Sequence, residues 1–482
     1  MREQMATFLY EFWKRKWLFV AFALGTLIAL LPAPEGLTRE GLFVLAISAG
    51  SVIIFITEPV PLPTVALMIA IVQVLLGISD PKVVAKSYMS DSVFFIMGSL
   101  MIAVAFVKQK LDRRIAYMLL RAAGGRTDRF ALGVMVTAAL IASLIGEHTV
   151  AAIMLPVCLV VIRAVSDREG EDRMLTGLLL FSLAYGCTIA GIGTPSGGAR
   201  NAIIIQYWKD LIEPAVHVDY LAWVITAYPI LLLIIPVLAV ILRLTFKPRV
   251  TNLSRVLVRL RVEMESAGAM SVQEWLTLAI FSFTLILWLT ASSTIGLGIV
   301  ALIGAVLFLI LGLVEWRDYN DGVNWGVVLL YAAAMSIGAA MVRTGAAEWV
   351  AGTYLGMMTA IGLGSGLALL ISVAVLITLV TNTMSSGAAV AVLAPITLKI
   401  AMLSGLNPLM MGFVTAIASA FGFLSIASHP GITIIYSAGY LPARDFLRHG
   451  WKIALACLII LIVYAATYLQ LICHLICPTG GQ

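Results

Sequence analysis

Charge is scarce in this sequence. Lys, Arg, Asp and Glu together make up 12% of 482 residues, against 61% hydrophobic residues and a mean hydropathy of +1.04. A water-soluble globule of this length cannot be built from so few charges, so the composition defines an integral, polytopic membrane protein. Cysteine is equally sparse. The five (Cys158, Cys187, Cys457, Cys473 and Cys477) follow no framework spacing, which excludes a disulfide scaffold, and Cys473, His474 and Cys477 offer too few ligands for a metal site. Only five histidines occur, at 148, 217, 429, 449 and 474, and no HExxH is present, so neither a zinc hydrolase nor any other enzyme is expected. No cofactor is implied beyond a coupling sodium ion. A small-residue cleavage site is also lacking after Lys14, Arg15 and Lys16, so the first apolar segment is expected to stay as an anchor.

What is present is a series of long apolar runs. A hydrocarbon core of about 30 Å needs roughly 20 apolar residues per helix. On that ruler, spans are expected near 17–33, 38–57, 61–78, 91–108, 219–245, 273–291, 295–314, 325–342 and 450–472. Two regions, 130–208 and 365–440, do not divide this way. Each has an apolar stretch, a polar knot, a second stretch closed by proline, and a further span interrupted by Gly and Pro. Irregular backbone at membrane depth is tolerated only inside protein or beside a wet cavity, so these regions are where a transport pathway is to be sought.

The basic residues orient the chain. With 130–163 and 365–400 folded as re-entrant hairpins and the N-terminus in the cytoplasm, 24 of 31 Lys and Arg fall on the cytoplasmic side, six face out, and Arg200 is left in the membrane. The net charge of +6 is therefore topogenic and lipid-facing, with no nucleic-acid partner implied. The expected location is the cell membrane, the inner one in a bacterium.

The irregular regions repeat one another. LIGEHTVAAIMLP answers LVTNTMSSGAAVAVLAP, and AGIGTPSGGARNAI answers SIASHPGITIIYSAGY; Pro195 and Pro430 lie 235 residues apart, Pro156 and Pro395 239 apart. An odd number of crossings between the halves inverts one against the other. Inverted repeats with paired broken helices are the architecture of secondary transporters. The expected fold is an all-α polytopic membrane protein with about 11 transmembrane helices, two re-entrant hairpins and two broken helices.

The order of elements, LDRRIA at 111–116, the proline-closed hairpins and GIGTPSGGARNAI at 191–203 resemble the divalent anion/sodium symporter family, which carries dicarboxylates, citrate-like acids or sulfate. The resemblance implies a homodimer with a static scaffold and a transport domain that moves as an elevator. The segments are then 1–129, scaffold helices; 130–246, first transport repeat; 247–272, cytoplasmic linker; 273–352, second scaffold helices; and 353–482, second transport repeat with the C-terminal span. Family members carry Ser-Asn-Thr at each hairpin tip. Counting back from Pro156 and Pro395, those triplets fall on Gly146-Glu147-His148 and Ser385-Ser386-Gly387, with Thr381 four residues upstream of the second. The family's broken-helix pattern falls on Gly197 to Asn201, with Arg200 inside it, and on Ala427 to Gly431, where the asparagine is absent.

The frame is kept and its contents are changed. An ionised group at mid-membrane costs about 2.5–3.5 kcal/mol even on insertion scales, so such groups pair and mark pathways. Candidate substrate contacts are Glu147, His148, Thr149, Arg200, Asn201, Ser385, Ser386, Gly387 and His429; candidate cation ligands are Thr381, Asn382, Ser385 and Ser386. Arg200 offers a planar fork for a carboxylate or sulfate. His148 titrates near neutral pH and suits a proton carrier, and Glu147 is expected to balance Arg200. The substrate expected is a small di- or tricarboxylate moved with sodium or protons. Sulfate transport, anion exchange and a cation/proton antiporter using Glu147 and His148 are the competing readings.

Overall fold

The computed structural model describes residues 15–111, 114, 124–169, 172–212, 218–254 and 269–476. The N-terminal arm to Lys14, most of LDRRIA, most of the linker at 247–272, His217 and Cys477 lie outside the described residues. Among the described residues the fold is all-α, and ten helices are long and apolar enough to cross a membrane.

The first part runs α1 (Lys16–Leu30), α2 (Arg39–Thr57), α3 (Leu62–Leu75), α4 (Pro81–Tyr88) and α5 (Asp91–Lys108). Helix α1 stops short of the expected residue 33 because Pro32 and Pro34 cannot continue it, and Arg39 donates to the carbonyls of Ala29 and Leu31 (both 2.5 Å). The first hairpin follows as α6 (Thr127–Ile145) and α7 (Glu147–Glu169), then α8 (Arg173–Ala190), a 3₁₀ turn at Pro195–Gly197, α9 (Ala199–Leu211) and α10 (Tyr220–Thr245). Every residue from Leu175 to Ala190 is buried, which explains why α8 is apolar all round.

The second part has α11 (Val272–Ile295), α12 (Leu297–Ile310), α13 (Trp316–Gly322), α14 (Trp325–Arg343) and α15 (Ala346–Ala360). Helix α15 is absent from the expected spans. Gly345, at φ +75°, ends α14 and starts it, and the expected segment boundary at 352 falls inside it. The second hairpin is α16 (Gly366–Thr381) and α17 (Ser386–Ser404), followed by α18 (Pro408–Ala418), an unwound stretch, α19 (Pro430–Ser437), α20 (Ala443–Tyr464), a π-turn at Ala465–Leu469 and α21 (Gln470–Ile476). The C-terminal helix begins seven residues before the expected 450. Pro442 presets its entry and Asp445 sits in its first turn, so a charged segment that hydropathy alone rejects is helical.

Both hairpin arms carry an interior proline, Pro156 in α7 and Pro395 in α17. The basic segments expected to share one side also meet: Arg126 and Arg243 both reach Asp128 (3.3 Å each), Arg114 pairs with Glu274, and Lys108 donates to Asp318. That hydrogen bond holds the Asp318 carboxyl below its ordinary range.

The arm that carries Arg200 is anchored at its far end. Trp208 and Trp223 flank Phe413 at 4.9 Å each, binding α9, α10 and α18 together, and Tyr207 donates to the carbonyls of Ala334 (3.3 Å) and Ala391 (3.2 Å). Gly338 gives the Tyr207 hydroxyl its space: a Cβ there would lie 1.6 Å from it. Gly338→Ala is therefore expected to cost about 1–3 kcal/mol through overpacking, read as a lower melting temperature of the detergent-solubilised protein.

Candidate functional site

Each tip and each break is shaped by a local rule. Gly146 closes the first hairpin at φ +88°, a conformation that excludes side chains with a Cβ, and α7 starts at the next residue, Glu147. At the second tip Ser385 caps α17, accepting from the Ala388 amide at 3.4 Å.

The first break is stitched by Asn201, whose Nδ2 donates to the carbonyls of Gly191 (2.6 Å) and Thr194 (2.7 Å). Thr194 donates to the Ser143 carbonyl, bringing this break against the first hairpin. The second break is stitched by Asn382, which donates to the carbonyls of Thr378 (2.7 Å) and Phe421 (3.1 Å) and accepts from Leu424 N–H (2.8 Å). The Ser386 N–H donates to the Ser428 carbonyl at 3.1 Å, bringing that break against the second hairpin.

Across this frame the charged groups connect crosswise. Glu147, at the first tip, faces His429 of the second break, with Nδ1 3.1 and 3.2 Å from its two carboxylate oxygens. Arg200, at the first break, donates to the Ser386 hydroxyl of the second tip (3.2 Å) and to the Thr188 carbonyl (3.5 Å). Glu147 and Arg200 make no direct ion pair and act on each other only across the site, so the expected balance between them is a through-space one. The buried arginine reaches neutral oxygens, so its charge is not cancelled by direct contact. The imidazole beside Glu147 is His429 rather than its neighbour His148. Consecutive helical residues point about 100° apart, and the half-buried His148 ring lies over the tip, 3.5 Å from where a Gly146 Cβ would be.

The other sequence candidates fall around this cross. Thr149 is half-buried on α7 one turn from the tip, without a side-chain hydrogen bond to the site, and Gly387 lies under Tyr331, whose hydroxyl is 2.1 Å from a would-be Cβ. Of the cation candidates, Asn382 spends both ends of its amide on backbone and the Ser386 hydroxyl takes Arg200, whereas the Thr381 hydroxyl is buried with no partner. Eight buried side-chain polar atoms lack a partner among the described residues, and four of them belong here: Arg200 Nε, Asn201 Oδ1, Thr381 Oγ1 and His429 Nε2. That concentration of unmet polar groups makes this the candidate ligand site, because buried polar atoms are as a rule paired.

Tyr331 and Thr188 are the residues that sequence reasoning missed. Tyr331, from α14, lies within electrostatic reach of both Glu147 and Arg200. Its only signal is an isolated polar ring before three alanines in a span otherwise read as packing.

Two stitched breaks meet two helical tips in an all-α membrane fold, and the family and relatives that this chain matches are transporters rather than enzymes. A model of the sodium:sulfate symporter transmembrane region matches residues 11–475, and the chain belongs to that family. It is similar to the sodium-dependent dicarboxylate transporter SdcS of Staphylococcus saprophyticus, 22% identical over 465 residues covering 91% of this chain and 88% of the relative. The SdcS protein of Staphylococcus aureus is also 22% identical, over 92% of this chain and 90% of its own length. Among solved structures, MtrF of Neisseria gonorrhoeae, described as an antimetabolite efflux pump, covers 95% of this chain and 94% of its own at TM-score 0.57 and 13% identity. YdaH of Alcanivorax borkumensis, described as a transporter of unusual topology, covers 80% and 86% at TM-score 0.56 and 14% identity. Both likenesses are of fold alone.

Proposed function

We propose that this chain is a secondary active transporter of small divalent organic anions, di- and tricarboxylates, coupled to sodium. The observation that carries this reading is Arg200: 2% exposed, with Nε unpartnered and no carboxylate in contact, where both tips and both breaks meet. A buried cation with no carboxylate in contact is costly, and a substrate carboxylate supplies the direct partner that lowers the cost. Four helices, α7, α9, α17 and α19, begin beside the same groups, adding backbone N–H ends that favour an anion.

Sodium is assigned to the second tip. There Thr381 and Ser385 supply hydroxyl oxygens, while at the first tip Gly146-Glu147-His148 supplies no neutral side-chain oxygen. The family and the sodium-dependent dicarboxylate transporters among the relatives support an anionic substrate and sodium coupling. In this reading the chain works as a homodimer with its N-terminus in the cytoplasm, lying in the inner membrane of a bacterium. The re-entrant hairpins and broken helices of 130–246 and 353–482 move together as an elevator against the scaffold formed by 1–129 and 273–352.

Uptake of labelled succinate, citrate and sulfate into proteoliposomes, with sodium and pH gradients imposed separately, tests the reading. Succinate or citrate accumulation driven by an inward sodium gradient is the expected result. Accumulation of sulfate alone would change the substrate class; sodium/proton exchange with no anion movement would replace this reading by an antiporter.

A further inference from the structure

Glu147 and His429 form a contact that a fixed-charge anion site does not need. Glu147 is 9% exposed and His429 fully buried, both carboxylate oxygens lie within 3.2 Å of Nδ1, and Nε2 has no partner. The pair joins α7 to the N-cap of α19, so it spans the two halves of the transport site. Close packing fixes it in place: a Cβ on Gly422 would lie 3.0 Å from the imidazole, and one on Gly431 would lie 3.4 Å from the Glu147 carbonyl. The charged and titratable groups facing the pair are His148 on the same helix, Arg200 from α9, Cys187 from α8 and Tyr331 from α14. Arg200 is the permanent charge among them, since its guanidinium does not titrate.

Charge counting then separates the states. With the imidazole protonated the pair is neutral and the site carries the single positive charge of Arg200. With the imidazole neutral the pair carries one negative charge and the site carries none. A divalent anion brings two negative charges into this low-dielectric space, and their attraction favours the protonated imidazole. Binding of anion and proton is thereby mutually reinforcing, since linkage between two sites is reciprocal.

We infer that the Glu147–His429 pair is a proton-binding site, taking one proton from the solvent on the side to which the site is open as a divalent anion binds beside Arg200, and releasing it with the anion on the other side. Proton and substrate then travel together, in addition to sodium at the second tip. This inference rests on the anion-transport reading above. Glu147 is a positioning residue for the proton and for the His429 ring; His429 is the group that carries it.

The test uses proteoliposomes with equal sodium on both sides, membrane potential clamped, and both pH values above the titration range of succinate. One co-transported proton makes an inward gradient of one pH unit raise steady-state succinate accumulation about tenfold over no gradient. In Glu147→Gln and His429→Gln this ratio is expected to fall to about one, whatever their absolute rates. Independently of any variant, succinate added to weakly buffered wild-type protein is expected to draw close to one proton per site from solution. If wild-type protein accumulates succinate with a ratio near one and takes up no proton, the inference is overturned while the anion reading stands. A tenfold ratio retained in His429→Gln but lost in His148→Gln would place the proton at the hairpin tip and also overturn it. If wild-type protein moves no anion at all, both readings fail. Should the variants not fold, the wild-type proton uptake decides alone.

Discussion

Arg200→Ala is expected to lower succinate uptake by about two to three orders of magnitude at sub-saturating substrate, since a charged hydrogen bond is worth about 1.5–3 kcal/mol and the fork supplies more than one. The loss belongs to binding rather than to folding. Arg200 gives its hydrogen bonds to Ser386 and Thr188 at 3.2 and 3.5 Å, long contacts to neutral oxygens, and leaves Nε unmet. Removing it takes away a charge that the protein offsets only at a distance, through Glu147, so thermal stability without substrate is expected to fall by far less than uptake does. Arg200→Lys separates charge from geometry. Lysine keeps the positive charge and loses the planar fork, so partial uptake with weaker apparent affinity is expected. Uptake at wild-type affinity in Arg200→Ala, measured with purified protein in liposomes, would remove the guanidinium from the substrate site.

Asn382→Ala is the second large effect, and it acts on structure. The Asn382 amide reaches three backbone groups, the carbonyls of Thr378 and Phe421 and the N–H of Leu424, and thereby ties the second hairpin to the unwound chain before α19. Alanine leaves the Phe421 carbonyl and the Leu424 N–H without those bonds at membrane depth. An unsatisfied buried polar group costs about 1–3 kcal/mol, so a combined loss of about 3–5 kcal/mol is expected, seen as a melting temperature lower by several degrees. Asn382→Asp keeps the acceptor for Leu424 and loses the donor for Phe421, and an intermediate loss is expected. If Asn382→Ala melts like wild type but loses sodium stimulation, the amide acts on the ion rather than on the break. Asn201 does the parallel work in the first break, fully buried with two short donations to Gly191 and Thr194.

These predictions mix what was legible with what was not. The hairpin tips were readable because Gly and Ser at a helix start, followed by a proline-bearing apolar arm, obey local rules; the tips lie at Gly146 and Ser385 as the proline spacing implies. The breaks were readable for the same reason, since GIGTPSGG and SIASHPG cannot continue a helix. Helix α15 was missed because an apolar run broken by Gly352 and Gly356 looks like a loop until neighbours bury Ala346, Ala347 and Ala351. Asn382 is a cation candidate in the sequence and a backbone tie in the structure, because an amide presents the same oxygen to an ion or to a backbone N–H, and sequence does not say which is near.

Sequence alone determined that this is a polytopic membrane protein, that two stretches interrupt its helices at membrane depth, and that Glu147, His148, Arg200 and His429 are the charged or titratable residues placed there. Apolar run length, glycine and proline stereochemistry and the cost of burying charge act on neighbouring residues, and so they can be read along the chain. Tertiary structure decided the partners: Glu147 with His429, 282 residues away, and Arg200 with Ser386, 186 residues away. Those contacts depend on how two halves pack against each other. No periodicity within either half records which imidazole meets the acid, and the proton site inferred above follows from that meeting.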